Sequence, residues 1–227
     1  MTHETDRAQP EVQPERPLWD QEFWDERYRS KPALWSGRPN PQLVADGAGL
    51  APGRALDVGC GEGADAVWLA ERGWQVTAVD VSAVALERAA AHAAEVGADV
   101  AARISWQRVD LFDWAPAEGA FDLVSAQFMH LPREQREPME RRIAAAVAPG
   151  GTLLIVGHHP SDLGTTIPRP NFPELFFTAE EIAAALDPAG WTISAESRPR
   201  TAKAPDGQEV TIHDTVLRAL RKGPEHG

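Results

Sequence analysis

The sequence predicts an α/β fold: a doubly wound, mostly parallel, seven-stranded sheet that ends in a C-terminal antiparallel hairpin. Three observations carry that prediction. Apolar runs of strand length alternate with amphipathic stretches of helix length from residue 54 to about residue 190, the pattern that right-handed crossovers turn into a parallel sheet with helices on both faces. Three glycines, Gly59, Gly61 and Gly63, follow the first apolar run and lead straight into a helix. The last two apolar runs, 191–197 and 210–220, are separated only by a turn around Pro205, Asp206 and Gly207, so they pair at one sheet edge. With no internal repeat and no linker to divide it, this is one Rossmann-like domain.

Each element follows from local signals. Residues 1–17 are polar and proline-bearing, the composition of a disordered tail. Residues 18–50 read as a helical lid segment. Asp20 is its N-cap, Trp24, Arg27 and Tyr28 recur at helical spacing, and SKPALWSGRPNPQL follows as a proline-broken loop. Residues 51–222 form the main domain. RALDVG is its first strand, GADAVWLAERG a helix closed by Gly73, and WQVTAVDV the second strand. Ser82 caps the alanine-rich helix that Gly97 ends. RISWQRVDL and FDLVSAQFM are the third and fourth strands. A helix over 132–148 runs to Pro149-Gly150-Gly151, and GTLLIVGH is the fifth strand. Thr178 and Glu181 make a capping box for a helix over 178–187. The arginines of PREQREPMERR alternate with glutamates and read as a solvated, ion-paired surface.

Composition narrows the function. The 22 Lys and Arg against 34 Asp and Glu leave a net charge of −12 over 227 residues. Nucleic-acid binding draws on clustered positive charge, and anionic membrane surfaces attract the same, so neither partner is expected. No apolar run approaches the length that spans a bilayer, and the N-terminal residues lack a signal-peptide core. The lone Cys60 excludes a multi-cysteine metal site, and no metal is expected. A cytoplasmic protein, monomer or homodimer, acting on a small molecule is the expectation. Of the eight tryptophans, Trp19, Trp24 and Trp35 fall with the single tyrosine, Tyr28, in the lid segment, and the other five read as framework.

LDVGCGEGADA is the most informative stretch. Glycines let a ligand lie against bare backbone N–H groups where a strand ends, the place ligands collect in open α/β sheets. Gly59, Gly61 and Ala64 formally satisfy the dinucleotide pattern, so a nicotinamide-dependent oxidoreductase stays open as an alternative. Asp57, two residues before the first glycine, favours a ligand bearing an ammonium and a sulfonium over one bearing two phosphates. Asp80 ends the second strand, 23 positions on, where a carboxylate accepts from ribose hydroxyls. Asp110 ends the third strand, placed to read an adenine edge, with Val81 and Leu111 on the ring faces. His130, His158 and His159 follow the fourth and fifth strands and are the candidate general bases; Arg169 is a candidate to orient a polar substrate.

LDVGCGEG, VTAVDVS, VDLFDW, FDLVSAQFMHLP and AVAPGGTLLIV, in that order, resemble the successive motifs of class I S-adenosylmethionine-dependent methyltransferases. The resemblance runs from about Phe23 to the final strand. It implies that the methionine moiety of the donor lies over Gly59, Cys60 and Gly61 near Asp57. It implies the ribose on Asp80, the adenine beside Val81, Asp110 and Leu111, and Gln127 and Phe128 on the methyl side. FWDERYRSKPALWSGRPNPQL looks like the corresponding segment of the tellurite-resistance and thiopurine methyltransferase-like group, whose members methylate small chalcogen or thiol nucleophiles. Here it would fold over the donor, with Trp35 beside the cofactor and Trp24 and Tyr28 walling the substrate together with Phe128. A donor-binding module without activity is the other alternative, because methyl transfer needs no fixed catalytic residue.

Overall fold

The computed structural model describes residues 20–129, 131–167, 169 and 172–223. The predicted tail, Trp19 and His130 lie outside the described residues. Seven strands form one sheet in the order β3-β2-β1-β4-β5-β7-β6. They are β1 (Arg54–Val58), β2 (Gln75–Asp80), β3 (Ile104–Arg108), β4 (Phe121–Gln127), β5 (Val147–His158), β6 (Trp191–Lys203) and β7 (Glu209–Arg221). The first five run parallel; β7 is antiparallel to β5, and β6 pairs with β7 as the expected hairpin.

Helices cover both faces. On one side α3 (Ala64–Glu71) and α4 (Ala83–Val96) pack on the centre of the sheet, joined by α2 (Pro41–Gly47) through Leu43. On the other, α6 (Arg133–Ala145) and the short α7 (Ala179–Ala183) bury Met139, Ile143 and Ile182 against Leu56, Val124 and Leu217. The turn α5 (Ala98–Ala101) leads into β3. The first helix, α1 (Gln21–Arg29), sits on α4: Asp20 caps it, and the buried Asp25 accepts from Ser82 Oγ at 2.6 Å. Two capping signals read from the sequence are present, Ser82 on Ala85 N and the Thr178–Glu181 box.

Several expectations are corrected. The proline-broken loop stops short of Gln42, because Pro41 opens α2, where a missing N–H costs nothing, and Asn40 caps it. The third strand ends at Arg108, so Asp110 lies in the turn beyond it, exposed, with Oδ1 accepting from Phe112 N. The helix predicted over 132–148 stops at Ala145, and Val147 already pairs with Phe121, with a register irregularity before Leu123. The helix predicted over 178–187 is cut to five residues. The last two strands run to 13 residues each, past the end of β5, so the hairpin rises above the carboxyl edge.

The α6 arginines are not all solvated. Arg136 and Glu140 form a buried ion pair at 2.9 Å, with the guanidinium 4.1 Å over the Phe177 ring. Arg142 donates to the carbonyls of Leu111 and Phe112. The i,i+4 pairing was visible in the sequence, but which stripe of the helix faces the core was decided by the sheet beneath it. All five tryptophans assigned to the framework pack on core clusters, Trp68 and Trp74 as buried members of one.

Candidate functional site

Strand periodicity gathers the polar groups of the carboxyl edge on one face. Side chains alternate along each strand, and the registers place Asp57 beside Ser125 and Ala78, Gln127 beside Val156, and His158 opposite Asp214. Asp57, Asp80, Gln127, His158 and Asp214 therefore project to the same side of five different strands.

The glycine turn is built around Asp80. Its Oδ2 accepts from Gly61 N at 2.9 Å and its Oδ1 from Ser82 N at 2.9 Å, so one carboxylate ties the loop after β1 to the start of α4. Burial pushes the Asp80 carboxyl above its ordinary range, although these backbone N–H groups and that of Val81 oppose the shift. At Gly61, φ is +53°, and an added Cβ would lie 3.0 Å from Tyr28 Oη and 3.2 Å from Trp35 Nε1. At Gly63 a Cβ would sit 2.7 Å from both Ala89 Cβ and the Trp106 ring, so only glycine lets the turn before α3 lie this close to α4 and β3.

Asp57 is the anomaly. It is 2% exposed, its Oδ2 has no hydrogen-bond partner, and the neighbouring Gln127 has a buried Oε1 in the same condition while its Nε2 is held by Ser125. Burial first, then the carboxylates of Asp65 and Asp80, push the Asp57 carboxyl well up. Asp65 is itself raised to about 6 by burial. Buried acceptors without donors are costly, typically about 1–3 kcal/mol each, so the turn is built to receive a ligand that brings N–H groups and positive charge. A pyrophosphate would add further acceptors to a place already short of donors. The residues thus fit the ammonium end of S-adenosylmethionine and disfavour a dinucleotide.

The lid segment covers this turn. Tyr28 is 3% exposed and its hydroxyl accepts from Trp35 Nε1 at 3.1 Å, directly above Gly61. Trp24 packs on Tyr28 and Phe23 with Arg27 over its ring. Cys60, half-buried in the turn, has its thiol pushed up by burial and by nearby Asp57 and Asp80, so it stays protonated and non-nucleophilic. Leu111 packs in the core under α6, and Val81 lies half-buried at the end of β2.

At the far end of the same face, His158 sits between two phenyl rings, Phe128 at 4.7 Å and Phe176 at 5.8 Å between centroids. Phe128 holds φ +52°, rare for an aromatic residue, and its N–H is fixed by Val156 O at 2.7 Å. Such strain concentrates where a ligand is gripped. Opposite His158, the buried Asp214 accepts from Gln42 Nε2 and Arg200 Nε, while Arg198 bridges Gln42 and Asp46. These bonds brace α2 against the raised hairpin. Phe176, Asp214 and Arg200 carried no motif in the sequence; only the pairing of distant strands reveals them.

The remaining candidates are engaged elsewhere. His159 projects to the opposite side of the chain, where its Nδ1 accepts from Ser161 N and caps the 3₁₀ turn Pro160–Gly164. Arg169 is bound at 2.6 Å to Asp162, whose other oxygen accepts from His213 N. Among the described residues no group of three or more His, Cys, Asp or Glu is arranged to hold a metal ion, and no helix is long and apolar enough to cross a membrane.

Residues 55–151 match the family described as a methyltransferase domain. The 2-heptyl-1-hydroxyquinolin-4(1H)-one methyltransferase of Mycobacteroides abscessus is 31% identical over 134 residues, which is 58% of each chain. The present chain therefore spans little more than half the length of that relative. Among solved structures, TehB from Haemophilus influenzae superposes with a TM-score of 0.64 at 19% identity, over 89% of this chain and 67% of that one. DhpI in complex with SAH superposes with a TM-score of 0.61 at 22% identity, over 91% of this chain and 96% of that one. At such identities the likeness is one of fold, and the fold is that of the class I S-adenosylmethionine-dependent methyltransferases.

Proposed function

We propose that this chain, which carries a methyltransferase domain of the class I S-adenosylmethionine-dependent type, methylates a hydroxylated, planar aromatic small molecule. The observation that carries the donor half is the pair of buried acceptor atoms, Asp57 Oδ2 and Gln127 Oε1, beside a glycine turn. Asp57 takes the ammonium group and Asp80 the ribose hydroxyls. Val81 and Leu111 flank the adenine, whose edge Asp110 and the backbone after it face from the turn beyond β3. Gly59, Cys60 and Gly61 pass beneath the methionine moiety, and Trp35 and Tyr28 close over it.

When bound, S-adenosylmethionine supplies an electrophilic methyl group that already carries its leaving group. The chain has then to hold the acceptor oxygen in line and keep water out. Alignment of this kind is worth several kcal/mol, up to about 7–11 for well-held pairs. The half-buried Phe128 and His158 rings, backed by the buried Phe176, wall the place for a planar acceptor, and His158 takes the hydroxyl proton as the oxygen attacks. His159, whose Nδ1 caps the 3₁₀ turn, is assigned no such role in this reading. Trp24 backs Tyr28, and Arg169 shapes the outer loop through Asp162. The curated relative acts on a hydroxyquinolone, a planar hydroxylated ring system of this kind.

The test is methyl transfer from labelled S-adenosylmethionine to a panel of hydroxylated bicyclic aromatics, simple phenols, thiols and tellurite. Turnover on the bicyclic hydroxyl compounds exceeding that on thiols and tellurite is expected. A preference for thiols or tellurite would return the acceptor to a chalcogen nucleophile, and tight binding of NADH alone would sink the donor assignment.

A further inference from the structure

The lid is a strap anchored at both ends. Its N-terminal anchor is α1, held by Asp25 on Ser82 and by Gln21 on Arg108. Its C-terminal anchor is α2, held by Asn40 N on Asp65 and by Gln42 on Asp214. Between them, residues 31–39 run over the glycine turn mostly exposed and without regular structure. Among the described residues, the hydrogen bonds that tie this span to the domain body converge on one side chain, Glu62. Its carboxylate accepts from Leu34 N and from Trp35 N, each at 3.0 Å, and is itself held at 2.9 Å by Arg88 of α4. Trp35 then reaches Tyr28 and completes the cover over Gly61.

We infer that Glu62 is a latch: a positioning residue that holds Trp35 closed over the donor and sets the rate at which donor and product exchange. Three features support a latch over a merely structural bond. Glu62 belongs to the donor turn itself, so the cover is fastened to the element it covers. The bonds it makes are charge-assisted, and both N–H partners are neighbouring groups on the exposed span without regular structure. Trp35 remains 46% exposed, so little apolar burial competes with these bonds in keeping the strap down. Arg88, 28% exposed, stands where it fixes the carboxylate without joining the strap. The inference needs the cofactor but not the identity of the acceptor.

The experiment follows the release of S-adenosylhomocysteine by stopped flow, and hydrogen exchange of residues 31–36, in the full chain and in Glu62→Gln and Glu62→Ala. Charge-assisted bonds of this type convert to roughly a tenfold change, so release is expected to be about ten times faster in Glu62→Ala and intermediate in Glu62→Gln. Amides 34 and 35 should lose protection while β1 and β4 keep theirs. Arg88→Gln, which leaves the turn intact, should accelerate release by about threefold. Unchanged release in Glu62→Gln and Arg88→Gln overturns the latch, as does faster release with amides 34 and 35 still protected. If Glu62→Ala fails to fold, the Glu62→Gln and Arg88→Gln pair decides the question by itself. Absence of turnover on every acceptor in the parent chain, with release still faster in the Glu62 variants, would count against the acceptor assignment and leave the latch standing.

Discussion

On the β1–β2 side of the carboxyl edge, the bonds that set the glycine turn come from residues 59–61 and 80–82, two short stretches of chain, with Gln127 beside them and Tyr28 and Trp35 above. On the β5–β7 side, His158, Phe128, Phe176 and Asp214 come from four separate segments. The first side is polar and fixed by backbone N–H groups; the second is aromatic and fixed by side-chain packing. A cofactor shared by many enzymes can be held by a local backbone device, whereas an acceptor particular to one enzyme calls for a surface assembled from whatever the fold brings near.

The comparison breaks first at Asp80. If the donor half is one device, Asp80→Ala should both release the turn and remove the ribose acceptor, weakening S-adenosylhomocysteine binding about 100-fold by calorimetry. A change under about threefold would show that the backbone of the turn is sufficient alone. The acceptor half is probed by His158→Ala, for which we expect turnover to fall about 100-fold, with the donor dissociation constant unchanged. His159→Ala should stay near the parent. Equal losses in the two variants would remove the distinction between the inward and the capping histidine.

The smallest effect concerns pH. Burial, with Asp65 and Asp80 nearby, raises the Asp57 carboxyl in the free protein, while an ammonium partner favours its ionised form. Donor binding should therefore release a proton and tighten as pH rises, until Asp57 is ionised in the free protein as well. Calorimetry in buffers of different ionisation enthalpy reads that proton directly. The sign for stability is opposite. Asp65, raised to about 6, binds its proton more tightly folded than unfolded, so its contribution is full below the unfolded value near 4 and is lost as pH climbs through 6. Uptake of a proton on donor binding would remove Asp57 from the ammonium site.

Much of the geometry around the glycine turn was legible. Gly59, Gly61, Asp57 and Asp80 stand where the motif puts them, and the Ser82 cap and the terminal hairpin are present. Asp110 was displaced from strand to turn because a strand end depends on whether a neighbour continues to pair, and β2 ends at Asp80 opposite Arg108. The His158 side of the carboxyl edge was legible only as a set of histidines near a rim. Chain order could not say which imidazole faces the sheet's ligand side, since His158 and His159 are adjacent and differ only in the parity set by β7 pairing. Nor could it show Glu62, which reads as an arbitrary residue within GCGEG until the lid lies on it.

The sequence by itself determined the fold class, the glycine turn and the acidic residues set beside it. Strand and helix periods and the φ freedom of glycine are local properties that a few residues express wherever they are placed. The tertiary structure alone decided the ring trio around His158, the braced hairpin and the Glu62 latch. Those depend on contacts between segments from 18 to more than 150 residues apart, such as His158 with Phe176, Trp35 with Glu62 and Gln42 with Asp214, whose loop-closure cost is met only when the whole sheet is in register.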